Sequence, residues 1–132
     1  MAWAALLLAV VAGCTNEVKL REAELQQLVA ILPGRYDNRE HSEARDAAGG
    51  GMGAAGAETA LELNIVPIYA PFLSRNVFYV QEYVFGDARR VLSQRLFVFD
   101  VSPDARFLQR VLGFAEPIRW RDGYLNTDLF KG

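Results

Sequence analysis

The sequence predicts a mainly β fold, an antiparallel sheet curved toward a barrel behind one N-terminal helix. Three observations carry this reading. An apolar stripe at helical spacing, Leu25, Leu28, Val29 and Leu32, stops at Pro33-Gly34. After residue 60 the hydrophobic period becomes two, in segments rich in β-branched and aromatic residues. Residues 77–85 and 91–99 are apolar on both faces, which suits a wall covered on each side.

The chain has 132 residues, enough for one domain. Hydrophobic residues make up 52% and charged residues 23%, an ordinary globular balance. The formal charge is −2 and no basic block occurs, which argues against a nucleic-acid binder held by phosphate contacts. Cys14 is the only cysteine and His41 the only histidine. A disulfide within the chain and a Cys/His zinc site are thereby excluded, and no metal is expected. Any triad that needs imidazole depends on His41, which sits in a polar stretch. Carboxylate, Arg, Tyr or Gln chemistry remains, or plain binding, and none of these requires a cofactor.

Residues 1–13 carry no charged side chain; all 14 Lys/Arg and all 16 Asp/Glu come later. The run is shorter than the roughly 20 apolar residues that span a bilayer. It has the length of a signal-peptide apolar region. It ends in Val11-Ala12-Gly13-Cys14, which resembles a bacterial lipobox, where the cysteine thiol takes a diacylglycerol. The reading is a signal peptide over 1–13 and a lipidated Cys14 that starts a domain over 14–132. Such a protein is anchored to a membrane surface of the cell envelope and does not span it. Thr15 after the cysteine, in place of Asp, favours the outer membrane over the inner.

The elements follow in order. Residues 17–32 form a helix, capped by Thr15 or Asn16, with Glu17 in its first turn. Residues 44–57 are almost all Ala and Gly, too little side chain to offset chain entropy, and are expected to form a mobile surface loop. In the strand over 61–69, Leu61, Leu63, Ile65 and Tyr69 alternate with Glu62, Asn64 and Ile68, and Pro67 sits near its end or at an edge. Strands over 77–85 and 91–99 flank a connection at 86–90. A turn over 100–104 contains Pro103, and 107–114 is read as a further strand. Residues 118–121 and 124–130 suggest a last hairpin around Asp122-Gly123, a type I′ signal.

Symmetric pairing about 86–90 sets Tyr83 opposite Ser93, Gln81 opposite Arg95, Tyr79 opposite Phe97 and Glu82 opposite Gln94. Two polar pairs then interrupt an apolar wall. A polar group left unpaired there costs about 1–3 kcal/mol. Each therefore needs a partner: the residue across, a loop, water or a ligand.

Four segments resemble a known family. Leu32-Pro33-Gly34-Arg35-Tyr36-Asp37-Asn38 resembles the Gly-x-Phe-Asp-Asn motif of the CpcT/CpeT-type chromophore lyases. Val77-Phe78-Tyr79-Val80-Gln81-Glu82-Tyr83 and Ser93-Gln94-Arg95-Leu96-Phe97-Val98-Phe99 resemble two of its strands. Tyr124-Leu125-Asn126-Thr127-Asp128-Leu129-Phe130 resembles its later Asn-containing segment. The resemblance runs from about residue 25 to the end. It departs at Leu92-Ser93, where the family has Tyr-Arg, and the family's later Gly-Cys segment is absent. The resemblance implies a calycin/lipocalin-like antiparallel β-barrel, incomplete at its C-terminus, so that the chain is a fragment. It also implies that the barrel holds a phycobilin, a linear tetrapyrrole, as substrate and attaches it to a cysteine of an acceptor protein. Asp37, Asn38, Tyr79, Gln81, Glu82, Tyr83, Gln94 and Arg95 are the ligand-binding residues it implies. Arg95 would meet a propionate, Tyr79 and Tyr83 the pyrrole rings, and Asp37 or Glu82 the pyrrole N–H groups. The alternative is a non-catalytic envelope lipoprotein barrel that binds an apolar or tetrapyrrole-like ligand.

Lipidation is tested directly. Cys14→Ala is expected to leave an unprocessed precursor that still carries residues 1–13, seen as a mass increase over the wild-type body. Equal processing and equal membrane partition of the variant overturn the assignment.

Overall fold

The computed structural model describes residues 2–47 and 60–131. Its elements are α1 (Ala2–Ile31), β1 (Gly34–Asp37), α2 (Arg39–Ala47), β2 (Leu61–Ile68), β3 (Asn76–Val84), β4 (Asp87–Val101) and β5 (Phe107–Gly113). Three 3-10 turns follow, Pro117–Trp120, Gly123–Leu125 and Thr127–Phe130. The five strands make one antiparallel sheet in chain order, so each strand pairs with the next. The sheet is not closed; β1 and β5 are its edges. Among the described residues no helix is long and apolar enough to cross a membrane.

Pro33 follows α1, as a residue without an amide proton should. The helix runs unbroken through Thr15 and Asn16, so neither caps it. Leu25 is buried, and Val29 and Leu32 pack near Ile65, Phe78 and Val80 with Phe97 and Phe99. Leu28 lies at the flank of that strip and is 47% exposed, so the predicted stripe is narrower by one residue. The Tyr36 hydroxyl donates to the Leu32 carbonyl at 2.9 Å and ties β1 to the helix end. Residues 44–47 of the predicted mobile loop belong to α2, and 48–57 lie outside the described residues.

The register gives the sheet two distinct faces. The first, toward α1, carries Leu63, Ile65, Phe78, Val80, Phe97 and Phe99. The second carries Ile68, Val77, Tyr79, Leu96 and Val98. The C-terminal 3-10 turns cover this second face, with Phe130 buried and Phe114, Trp120 and Tyr124 packed beside it. The Trp120 ring stacks on Phe114 and on Phe130, each at 5.2 Å.

Two expectations are corrected here. No hairpin forms around Asp122-Gly123. Asp122 does take a left-handed conformation, φ 57°, but it links two 3-10 turns. Covering the second face with Trp120, Tyr124 and Phe130 outweighs strand pairing, and Pro117 has no amide proton for a ladder. The β3–β4 register also differs. The turn is Phe85-Gly86 alone, with Gly86 at φ +77°, and β4 begins at once with Asp87. Gln81 therefore pairs with Gln94, Val80 with Arg95, Glu82 with Ser93 and Tyr79 with Leu96. The predicted Gln81–Arg95, Glu82–Gln94, Tyr83–Ser93 and Tyr79–Phe97 pairs do not form. The surplus residues of β4 are taken up by irregularities after Glu82, and a slip of one exchanges its faces.

Gly123 marks how tightly the turns sit on the sheet. A Cβ there would lie 2.9 Å from the Phe130 ring and 3.3 Å from the Tyr79 ring. Phe130 is itself wedged among Tyr79, Phe114 and Trp120, so it has little room to yield. Gly123→Ala is expected to cost about 1–3 kcal/mol by overpacking, read from urea denaturation. An unchanged midpoint would show that the turns are not seated as described.

Candidate functional site

One row of polar residues crosses four strands on the second face: Arg35, Asn64, Gln81 and Gln94, each opposite the next. The adjacent row is Asp37, Glu62, Tyr83 and Val91. On the other side lies an apolar row, Val66, Tyr79, Leu96 and Leu112. Strand alternation aims all these side chains the same way. The turns and their aromatic residues cover the apolar end, so the polar rows have to satisfy one another.

They do so in two clusters. Glu62 is 1% exposed. Its Oε1 accepts the Tyr83 hydroxyl at 2.5 Å and pairs with the Arg35 guanidinium. Asn64 Nδ2 donates to the Tyr83 oxygen at 3.1 Å. Arg35 stays 68% exposed and covers the cluster from the β1 edge. The second cluster joins sheet to turns. Gln81, fully buried, donates from Nε2 to Asp122 Oδ1 at 2.8 Å and accepts the Asp122 amide on Oε1 at 2.8 Å. The Tyr79 hydroxyl lies 2.7 Å from Gln81 Oε1 and 2.7 Å from the Trp120 carbonyl, and its single proton serves one of them at a time. Burial pushes the Tyr79 hydroxyl up to about 12, against a smaller opposing effect of the Gly123 amide. Two buried acceptors, Glu62 Oε2 and Gln94 Oε1, have no partner among the described residues.

Gln94 also lines a groove of about 490 Å³. The groove opens where β5 stops, Gly113 being its last residue paired with β4. Leu92, Phe114 and Ile118 make its apolar wall, and Arg95 and Arg121 border it. Because the sheet ends there, Gln94 and Arg95 both reach the groove although neighbours on a strand point to opposite faces. Arg121 also donates to the Arg89 carbonyl.

Of the sequence-predicted residues, Tyr79, Gln81, Tyr83 and Gln94 share the second face, and Asp37 joins it at the end of β1. Asp37 accepts the Arg39 amide at 3.1 Å, a local bond at the start of α2. Asn38 is structural: its Oδ1 accepts the Leu61 amide at 2.6 Å. Glu82 lies on the α1 face and accepts the Ser93 hydroxyl at 3.0 Å. Arg35, Glu62, Asn64 and Asp122 were missed. Glu62 and Asn64 read as a solvated strand face from alternation alone. The available signal was β3, whose two apolar faces leave no solvated side for its neighbour β2.

Compared with known proteins, the chain matches no protein-family model, no curated protein and no solved structure.

The raised Tyr79 pKa fixes a pH dependence. The unfolded phenol ionises near pH 10 and the folded one near 12, so above pH 10 the unfolded state binds fewer protons. Stability from this group is full below pH 10 and is lost as the pH rises toward 12, by about 2–3 kcal/mol. Urea melts between pH 9 and pH 12 should show this fall, and Tyr79→Phe should lack it. Parallel curves for the two proteins overturn the buried hydroxyl network.

Proposed function

We propose that this chain is a CpcT/CpeT-like chromophore-binding protein, which holds a linear tetrapyrrole for attachment to a cysteine of another protein. The strand order, five antiparallel strands each paired with the next, supports that reading. The observation that carries the reading is the groove beside β5. It combines an apolar wall, two bordering arginines and a buried amide oxygen without a partner among the described residues. Its volume of about 490 Å³ falls in the range of small-molecule sites. A bilin is flat and apolar, carries N–H donors along its middle, and bears two carboxylates. Each of these has a counterpart: Phe114 and Ile118 for the rings, Gln94 Oε1 for an N–H, Arg95 and Arg121 for the propionates.

The chemistry asked of such a site is modest. A thiol adds across the exocyclic ethylidene double bond; a carbon–sulfur bond forms and a proton ends on the adjacent ring carbon. Holding the bilin in one conformation beside the thiol supplies most of the acceleration. The uncharged run that ends at Cys14 favours a second reading, in which a lipid-anchored protein of the outer membrane binds the tetrapyrrole without transferring it. Incubation with bilin and a cysteine peptide separates the two: a denaturation-resistant adduct supports transfer, reversible colour supports binding alone.

Phycocyanobilin added to the purified body is expected to shift its visible absorption. Arg95→Gln and Arg121→Gln should each weaken binding by about tenfold. Both arginines are exposed, so stability should stay within about 0.5 kcal/mol of wild type. A folded protein that leaves the bilin spectrum unchanged, or variants with unaltered affinity, would overturn the proposal.

A further inference from the structure

At one end of the sheet Ile68 closes β2, Asn76 opens β3, Val101 closes β4 and Phe107 opens β5. The register sets these residues side by side, so the loop over 69–75 and the turn over 102–106 lie together there. Traced backwards from Ile31, α1 crosses the first face toward that same end. Gly34, just past the helix, pairs with Ile65 in the middle of β2. Gln26 Nε2 donates to Asn76 Oδ1 at 3.2 Å. Lys19 and Glu22 stand beside Ser74 and Val101, and the Arg21 guanidinium lies 5.8 Å from the Phe107 ring centroid. The helix continues unbroken past the sheet, and from Lys19 back to Ala2 it rises about 26 Å. The uncharged run 2–13 and Cys14 thus leave the domain at this end, away from the groove at Gly113.

Two aromatic rings project at the same end. Tyr69 is 65% exposed and Phe72 70% exposed. A single exposed ring is ordinary. These two sit on a loop that is tied down. The Leu73 and Ser74 amides donate to the Ala70 carbonyl, the Ser74 hydroxyl donates to Asp100 Oδ1 at 2.6 Å, and Arg110 donates to the Leu73 carbonyl at 2.9 Å. A fixed loop therefore holds the rings in water, where each apolar surface is costly. Beside Phe72 an apolar hollow of about 250 Å³ runs between Leu73, Leu129 and Phe130, and Leu129 is itself half exposed. Lys19, Glu22 and Arg75 stand at the margin on the α1 side, all exposed, as a polar rim of mixed charge.

We propose that this end of the sheet rests on a lipid bilayer, with Tyr69, Phe72 and Leu129 set among the headgroups and upper acyl chains. The path of α1 selects a bilayer over a protein surface. The uncharged run leaves the domain here, so the apolar medium that receives it lies against the same loop. The geometry is the same if residues 1–13 are removed and Cys14 carries acyl chains, because Cys14 precedes Lys19 by only about 7 Å along the helix. Tyr and Phe suit the interface, and Lys19 and Arg75 can keep their charged heads in water while their stems lie on apolar surface. The proposal rests on the membrane-anchored reading and adds to it an orientation: the groove, at the far end of β5, stays open to water.

The test uses the full chain with Cys14→Ala, which removes the only native thiol. Phe72→Cys or Arg90→Cys then places one environment-sensitive fluorophore at this end or at the opposite end of the sheet. The probe is vesicles of phosphatidylethanolamine and phosphatidylglycerol, with and without a nitroxide-bearing lipid. A blue shift and nitroxide quenching at position 72, with neither at position 90, is the expected result. Without labels, Tyr69→Ser combined with Phe72→Ser should weaken vesicle partition by at least about tenfold and leave the urea midpoint in place, because both rings are exposed. If that variant is destabilised, the paired labels decide alone. Equal quenching at 72 and 90, or unchanged partition of the folded Ser variant, overturns the proposal. So does a dimer in sedimentation that shields position 72 without lipid, since a second copy then covers the loop. A chain that binds vesicles but leaves position 72 in water overturns the orientation and spares the anchored reading. A folded chain that stays off vesicles altogether overturns both.

Discussion

The amide of Gln81 and the backbone and carboxylate of Asp122 form two hydrogen bonds of 2.8 Å between residues 41 apart in sequence. Much of the second face depends on this clamp. Without it the C-terminal turns keep aromatic stacking and two single hydrogen bonds, Tyr79 to the Trp120 carbonyl and Arg121 to the Arg89 carbonyl, and stacking fixes distance better than register. A polar side chain in the middle of an apolar sheet is costly unless both ends of its amide are met. Asp122 meets both, one with its carboxylate and one with its amide proton. Its left-handed conformation, φ 57°, turns the chain so that both groups face the same way. Tyr79 then shares Gln81 Oε1 and the Trp120 carbonyl, which joins the clamp to the aromatic cluster. Gly123 follows as the residue small enough to pass the Phe130 and Tyr79 rings.

The same logic explains why polar residues fall in rows. Arg35, Asn64, Gln81 and Gln94 occupy one line across β1–β4, where each has polar neighbours and none stands alone in an apolar row. Such rows contribute specificity of register. A slip of one residue would carry the Gln side chains to the α1 face, among Phe78, Phe97 and Phe99, with no partner. The two acceptors without a partner among the described residues, Glu62 Oε2 and Gln94 Oε1, mark where the polar rows are not self-sufficient. One of them lies on the groove.

How much of this was legible in the sequence depends on range. Local signals served well. Periodicity located α1 after residue 17 and placed β2, β3 and β5 within one or two residues, and Pro33 ended the helix. β4 is longer than its apolar pattern, because its first residues, Asp87 to Arg90, are polar and carry no hydrophobic signature. Asp122-Gly123 correctly signalled a positive φ but not what the turn would join, since the choice between hairpin and 3-10 turns was made by the sheet face waiting to be covered. The β3–β4 register failed for the same kind of reason. Loop length there turned on whether residues 87–90 pair, and that is a tertiary matter. The candidate site was half visible. Tyr79, Gln81, Tyr83 and Gln94 stood out as polar groups in an apolar wall, whereas Glu62 and Asn64 hid in an alternation that suited a solvated face. Asp122, distant in sequence, carried no local sign of its partner.

The place of the groove follows from these constraints taken together. Face two must be covered, and the residues that cover it lie after β5. For the chain to return across the sheet it has to leave β5 early; it does so after Gly113, and Pro117 opens the first 3-10 turn. Leaving early exposes the side of β4 next to the polar row, so the gap in the ladder and the unpaired Gln94 oxygen arise at the same spot. The clamp at Gln81 then holds Arg121, the residue before Asp122, at the margin of that gap. A longer β5 would close the groove and pair β4, but it would also carry Trp120 and Phe130 away from Tyr79 and uncover the core. Groove and aromatic cover are thus two consequences of one early exit from the sheet.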